Sequence, residues 1–251
     1  ITIILSVFGD IKKNWPKYRC NPLIMPLAGY FGYDPVQNFA KCIGQPVVYP
    51  RLKGLDEKFP FINVIERKPD DKNLSFGSSW LHQDTSYLSD DRPRYTMLMG
   101  IEIPAGQGNT IFSSGFNAYE KLPNEIKNKI KNATGIFSSA GPIAVTRLER
   151  EKEMGIKSSN SMEAEHPIVK MVNGKKTLYI SPGHLMKIKN VEEKDSNYLK
   201  KYLIEHVNKQ EFIFSYEWSK GDICLWDNLS ILHMASEIKN CRRVMHRITM
   251  K

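Results

Sequence analysis

Apolar and polar positions alternate with period two over residues 96–103, 169–172, 177–180, 212–218 and 222–226. Successive side chains of a strand point to opposite faces, so this alternation predicts β-strands, each with one face against a core. Asn173-Gly174 falls between two of these stretches. A type I′ turn needs positive φ at both central positions, so 169–172 and 177–180 are expected to be antiparallel neighbours. Helical spacing is rarer. Residues 123–130 open on a proline that suits a first helical turn, and 191–208 places Leu199, Tyr202, Leu203 and His206 on one face. Both are expected to cover a sheet from outside. The polar, aperiodic stretch 138–165 reads as a long loop or lid. Residues 1–8 read as a buried strand, because the run is too short to span a bilayer and lacks the basic flank and small-residue cleavage site of a leader.

Composition narrows this picture. A chain of 251 residues, 41% hydrophobic and 10% aromatic, is expected to form one domain, with no repeat or linker dividing it. The net charge of +9 is spread over scattered lysines. Nucleic-acid binding would need a clustered basic face or a known module, so it is not expected; a mildly anion-attracting surface would suit small acidic substrates. No membrane partner is expected either. Cys20, Cys42, Cys224 and Cys241 form no CxxC pair, so a disulfide framework or structural zinc site is not expected and a reducing cytoplasm fits. The chain opens at Ile1 rather than Met, so some N-terminal sequence is expected to be missing.

The chemistry begins at Trp80-Leu81-His82-Gln83-Asp84-Thr85-Ser86-Tyr87. Residues two apart in a strand face the same side, so His82 and Asp84 can address one ion. A His-x-Asp pair alone is weak, but His233 supplies a third ligand far downstream. Two histidines and a carboxylate occupy one face of an octahedron and leave open positions, as in non-haem iron(II) oxygenases. The helical His-Glu-x-x-His signature of many zinc hydrolases is absent. A 2-oxo acid chelating such an ion leaves its far carboxylate in need of a cation, for which the arginine fork is well shaped. Arg243, Met245 and Arg247 alternate onto one side of a strand, with Arg242, Val244, His246 and Ile248 on the other. The plainer account of this segment is a solvated basic edge strand. His184 follows a strand end, where a loop can enter a pocket. Trp80 is the tryptophan nearest the metal pair in sequence, whereas Trp218 and Trp226 read as core.

These residues resemble the taurine dioxygenase family, the TauD/TfdA group of Fe(II)/2-oxoglutarate dioxygenases, from about residue 39 to 251. The matching pieces are Tyr49-Pro50, Trp80-x-His82-x-Asp84-x-x-Tyr87, Gly108 to Phe112, His166 to Val169, Trp226-Asp227-Asn228 to His233, and Arg243 to Thr249. The resemblance implies a mainly β double-stranded β-helix, a cupin-like jelly roll, with helices packed outside. It implies iron on His82, Asp84 and His233, the far carboxylate of 2-oxoglutarate on Thr110 and Arg243, and Arg247 facing the substrate. Tyr49, Trp80, Tyr87, Phe112 and His184 complete the expected substrate contacts. The implied reaction consumes 2-oxoglutarate and O2, releases succinate and CO2, and hydroxylates a small anionic substrate, with taurine or another sulfonate leading and a carboxylate, phosphonate or amine as alternative. A metal-binding jelly roll without catalysis and a zinc hydrolase are the rivals from other classes. A homodimer or homotetramer fits the resemblance. The sequence departs from the taurine enzymes at Pro46, where they carry histidine, at Gly77 and Ser78, where they carry an acid and an amide, and at His184, where they carry an aromatic residue.

Overall fold

The computed structural model describes residues 33–49, 54–72, 77–89, 92–144 and 161–251. The strand expected at 1–8, Cys20, Pro50 and the centre of the expected lid lie outside them. Along the chain run helix α1 (Asp34–Ile43), strands β1 (Pro46–Val47), β2 (Asn63–Arg67), β3 (Tyr95–Glu102) and β4 (Thr110–Ser114), and helices α2 (Gly115–Glu120) and α3 (Asn124–Ile130). There follow β5 (Thr134–Ser138), β6 (Glu163–Pro167), β7 (Val169–Val172), β8 (Lys175–Leu178), β9 (Leu185–Lys189), α4 (Glu193–Val207), β10 (Ile213–Tyr216), β11 (Ile223–Asp227), β12 (Ile231–Ala235) and β13 (Arg243–Met250).

The main sheet runs β1-β13-β3-β11, with β2 sharing β13's edge with β1. A second sheet runs β10-β4-β12, and all pairs in both are antiparallel. Between the two sheets pack Leu98, Phe112, Tyr216, Trp218, Trp226, Ile231 and Met245. On the outer face of the main sheet Met97, Met99, Leu225, Ile248 and Met250 meet Val36 and Ala40 of α1. Period-two alternation in β3 thus feeds Leu98 to one core and its two methionine neighbours to the other. Two facing antiparallel sheets with helices outside are the jelly roll that the resemblance implies.

β13 is not the solvated edge strand of the plainer account. All eight of its residues are buried, because β3 lines one edge and β1 with β2 the other. The Asn173-Gly174 turn has φ of 48° and 76°, and β7 pairs antiparallel with β8 as expected. That second strand covers 175–178 rather than 177–180. Residues 212–218 shorten to β10 after a single 3-10 turn. Pro123 is the N-cap of α3, not part of its first turn. The expected loop 138–165 begins inside β5 and ends inside β6. Helix α1 carries Val36, Phe39, Ala40 and Ile43 at i, i+3, i+4 and i+7, a helical period that places these side chains on one face.

Candidate active site

His82 and His233 face each other as a single antiparallel bridge between the loop after β2 and strand β12. His82 N–H donates to His233 O at 2.9 Å and His233 N–H to His82 O at 2.8 Å. Directly opposed residues of an antiparallel pair carry their side chains on the same face, so the two imidazoles come together, with centroids 4.4 Å apart. Two residues on, Asp84 turns its carboxylate to the same point. One ligand atom from each of His82, Asp84 and His233 lies within 4.8 Å of the others, and all three residues are buried.

Each ligand is oriented by a neighbour. His82 Nδ1 lies 3.0 Å from Trp80 O; as Nδ1–H donating there, it leaves the Nε2 lone pair available. Thr96 Oγ1–H donates to Asp84 Oδ2 at 2.6 Å, and Asn228 Nδ2–H donates to Thr96 Oγ1 at 2.8 Å. Asn228 Oδ1 in turn accepts from Trp226 Nε1–H and from Asp84 N–H. His233 lies against the Trp226 indole, 4.6 Å between centroids, and its Nδ1 is buried without a hydrogen-bond partner.

Electrostatics set the protonation states a cation needs. Burial pushes the His82 imidazole below its ordinary pKa, against the opposing pull of Asp84. Burial and the neighbouring His82 push His233 down to about 3. For Asp84 burial acts upward, but Arg247, His233, His82 and the Thr96 hydrogen bond together hold the carboxyl far below its usual range. Two neutral imidazoles and one carboxylate form a donor set for a divalent cation that accepts mixed N and O ligands.

Two lobes meet at this triad. One, about 440 Å³, is lined by Thr110, Trp226, His233, Arg243, Met245 and Arg247 among others. Its Arg243 is buried, burial lowers its pKa only to about 10, and its Nε and Nη2 have no hydrogen-bond partner. A buried guanidinium without a carboxylate is costly, so this one is set to receive an anion. Thr110 Oγ1 accepts from Trp218 Nε1–H at 2.9 Å, which frees its own hydroxyl proton for an acceptor in the lobe. Gly108, at φ +76°, leaves space for Arg243: a Cβ there would stand 2.8 Å from Arg243 Cδ and Nε.

The other lobe, about 500 Å³, is lined by Tyr49, Thr85, Tyr87, Ser139, Ile143, His184 and Arg247 among others. Arg247 Nη1–H donates to Asp84 Oδ1 at 3.4 Å, and its guanidinium lies over the Tyr49 ring at 4.7 Å. The Tyr49 and Tyr87 hydroxyls are 3.0 Å apart.

The structure therefore brings together His82, Asp84, His233, Thr110, Arg243, Arg247, Tyr49, Tyr87 and His184. Trp80 and Phe112 stand elsewhere. The Trp80 side chain lines neither lobe and is 39% exposed, while Phe112 is fully buried behind Trp226 at 5.3 Å between centroids. Trp226, read from sequence as core, is the indole against His233. Thr96 and Asn228 are functional residues that the sequence does not reveal: Asn228 sits inside a family motif, but nothing in the sequence links it to Thr96 across 132 positions. Gly77 lies in both lobes, where a Cβ would crowd His82.

A jelly roll with two histidines and a carboxylate at the junction of an anion-receiving lobe and a second cleft has the architecture of a 2-oxoglutarate-dependent oxygenase. Comparison with known proteins agrees. The profile described as "Taurine catabolism dioxygenase TauD, TfdA family" matches residues 32–249. The alkylsulfatase of Acinetobacter baylyi is 30% identical over 232 residues, 88% of this chain and 70% of that protein. The alpha-ketoglutarate-dependent sulfate ester dioxygenase of Pseudomonas putida is 27% identical over 225 residues, 85% and 71%. A crystal structure of a putative alpha-ketoglutarate-dependent taurine dioxygenase from Burkholderia xenovorans shares the fold, with TM-score 0.69 and 24% identity over 86% of this chain and 73% of that one. The chain belongs to the TauD/TfdA family of dioxygenases.

Proposed function

We propose that His82, Asp84 and His233 hold Fe(II), that Thr110 and Arg243 hold the far carboxylate of 2-oxoglutarate, and that the lobe at Arg247 takes a small organic sulfonate or sulfate ester for hydroxylation. The carrying observation is Arg243, a buried cation with no carboxylate partner among the described residues, beside three converged metal-ligand atoms. Fe(II), when bound, supplies O2 activation coupled to decarboxylation of 2-oxoglutarate to succinate and CO2. The protein's own contribution is placement. Thr96 and Asn228 fix the Asp84 carboxylate, Trp80 O fixes the His82 ring, and Arg247 sits where it can bind an anionic head while neighbouring Asp84. Holding the substrate carbon near the reacting centre replaces a chance encounter with a fixed approach. Two similar proteins are named for sulfate esters, which supports a sulfur oxyanion as the head group.

Anaerobic addition of Fe(II) and 2-oxoglutarate should give a weak visible charge-transfer band that disappears in His82→Ala, and in air that variant should release no succinate. Alkanesulfonates and alkyl sulfates should stimulate succinate release in air. Stimulation by carboxylates alone would reject the sulfur-oxyanion class while leaving the dioxygenase assignment intact.

A further inference from the structure

We infer that His184 is a specificity-determining residue that selects substrates carrying a second hydrogen-bonding group away from the anionic head, a hydroxyl being the group that fits best. This rests on the reading that the lobe at Arg247 takes the organic substrate. His184 lines that lobe together with Arg247 and is 6% exposed. Its Nδ1 lies 2.8 Å from Ser86 Oγ and 3.1 Å from Ser181 Oγ, and both serines are fully buried. The serines are themselves fixed: Ser86 Oγ–H can donate to Ser181 Oγ at 3.1 Å, Gln83 N–H donates to Ser181 Oγ at 3.0 Å, and Ser181 N–H donates to Gln83 Oε1 at 3.0 Å. The backbone is held as well, since Ser138 N–H donates to His184 O at 2.8 Å and His184 N–H to Ser181 O at 2.9 Å. The ring meets His82 and Tyr87 edge to face, with centroids 5.8 Å and 5.1 Å away.

An imidazole tied at Nδ1 leaves Nε2 on its opposite edge as the polar atom for the cavity. Were the position only a wall, an apolar ring would fill it without burying two serine hydroxyls behind it. Two proton arrangements are open to the serine network: with the Ser86 Oγ–H on Ser181 Oγ, Nδ1–H donates to Ser86 and Nε2 is left an acceptor; with that Ser86 proton turned to Nδ1 instead, the Ser86-to-Ser181 bond is given up and Nε2–H is left a donor. A hydroxyl both donates and accepts, so it suits either state, whereas an alkyl chain would leave Nε2 buried and unpaired. A site built around such a group rejects the analogue that lacks it.

The test compares kcat/KM for ω-hydroxyalkanesulfonates and the matching alkanesulfonates, with ω-hydroxyalkanoates and alkanoates as a parallel series. Calorimetric binding to the anaerobic Fe(II)–2-oxoglutarate protein is measured beside it. The hydroxylated member should be favoured about tenfold, as expected for one hydrogen bond at a desolvated site. His184→Phe should abolish or reverse that preference, His184→Gln should keep part of it, and Arg247→Leu should weaken both members alike. If His184→Phe does not fold, Ser86→Ala, which loosens the ring, should still reduce the preference. An unchanged ratio in the folded His184 variants would overturn the assignment while leaving the proposed function standing. Turnover of alkanoates alone would remove the sulfur-oxyanion reading, and the hydroxyl ratio within that series would still decide on His184. Silence from every member of both series, in turnover and in binding, would overturn both.

Discussion

The two lobes beside the triad are built differently. The lobe assigned to 2-oxoglutarate takes Thr110 from β4, Trp226 from β11, His233 from β12 and Arg243 from β13, all held in register by paired strands. In the substrate lobe Arg247 is, among the described lining residues, the one carried by a named strand; Tyr49, Thr85, Tyr87, Ser139, Ile143 and His184 come from loops and turns. Non-glycine residues with positive φ, Thr85 at 49° and Ser181 at 23°, also belong to the second lobe or its backing. Strand positions are constrained by their ladders, whereas loops tolerate change. A chemistry that stays constant can therefore sit on the sheets while the loops set which substrate is accepted.

The sharpest way to break this contrast is Arg243→Leu. Charge-assisted hydrogen bonds contribute about 1.5–3 kcal/mol, so KM for 2-oxoglutarate should rise on the order of tenfold to a hundredfold, while KM for the organic substrate should hardly move. Because Nε and Nη2 of the guanidinium are buried without a partner, its removal should leave the unfolding temperature of the unliganded protein unchanged or higher. A fall in both affinities together would show that the lobes do not act separately.

Gly108→Ala should act in the same direction with less force. Its Cβ would stand 2.8 Å from Arg243 and force a shift of that side chain, and φ of +76° adds strain of about 1–2 kcal/mol for a residue with a Cβ. KM for 2-oxoglutarate should rise severalfold and thermal stability should fall, again with little change in KM for the organic substrate. At the other lobe Tyr87→Phe removes the hydroxyl that meets Tyr49 and keeps the ring, and should change the organic substrate's KM within about threefold, with none in that of 2-oxoglutarate.

The same division explains what was legible in the sequence. Arg243-x-x-x-Arg247 repeats with strand period and could be read from spacing; His82-x-Asp84 lies on a loop and turn with one bridging residue rather than on the expected strand, and it is the family likeness that places it. β13 could be taken for a solvated edge because burial of its arginines depends on β1, β2 and β3, three partners remote in sequence. The Thr96–Asn228–Asp84 relay and the Ser86–Ser181–His184 network are invisible for the same reason: each joins residues that only the tertiary fold makes neighbours. Distance along the chain favours Trp80 over Trp226, a poor guide when a bridge between His82 and His233 brings β11 and β12 to the metal ligands.

Acid stability gives the smallest effect and probes the loop-built side alone. His166 Nε2–H donates to Leu88 O at 2.9 Å, behind the segment that carries Thr85 and Tyr87, while its Nδ1 faces Arg92 Nη1 at 3.3 Å. Burial, then the positive charges of Lys170 and Arg92, push its pKa down to about 4, against about 6.5 in an unfolded chain. Between those values the unfolded state binds a proton that the folded state refuses, so stability rises with pH through this window. The contribution is fully present above about pH 6.5 and is lost as pH falls toward 4. His166→Phe removes the titration and fits beside the Phe137 and Tyr179 rings, but it leaves Leu88 O without its donor, at about 1 kcal/mol. The variant should therefore unfold a few degrees below wild type at pH 7.5, and the gap should close or invert by pH 5. Parallel curves across that range would mean that His166 is not held neutral by its surroundings, and the segment behind the substrate lobe would then have no built-in sensitivity to acid at this position.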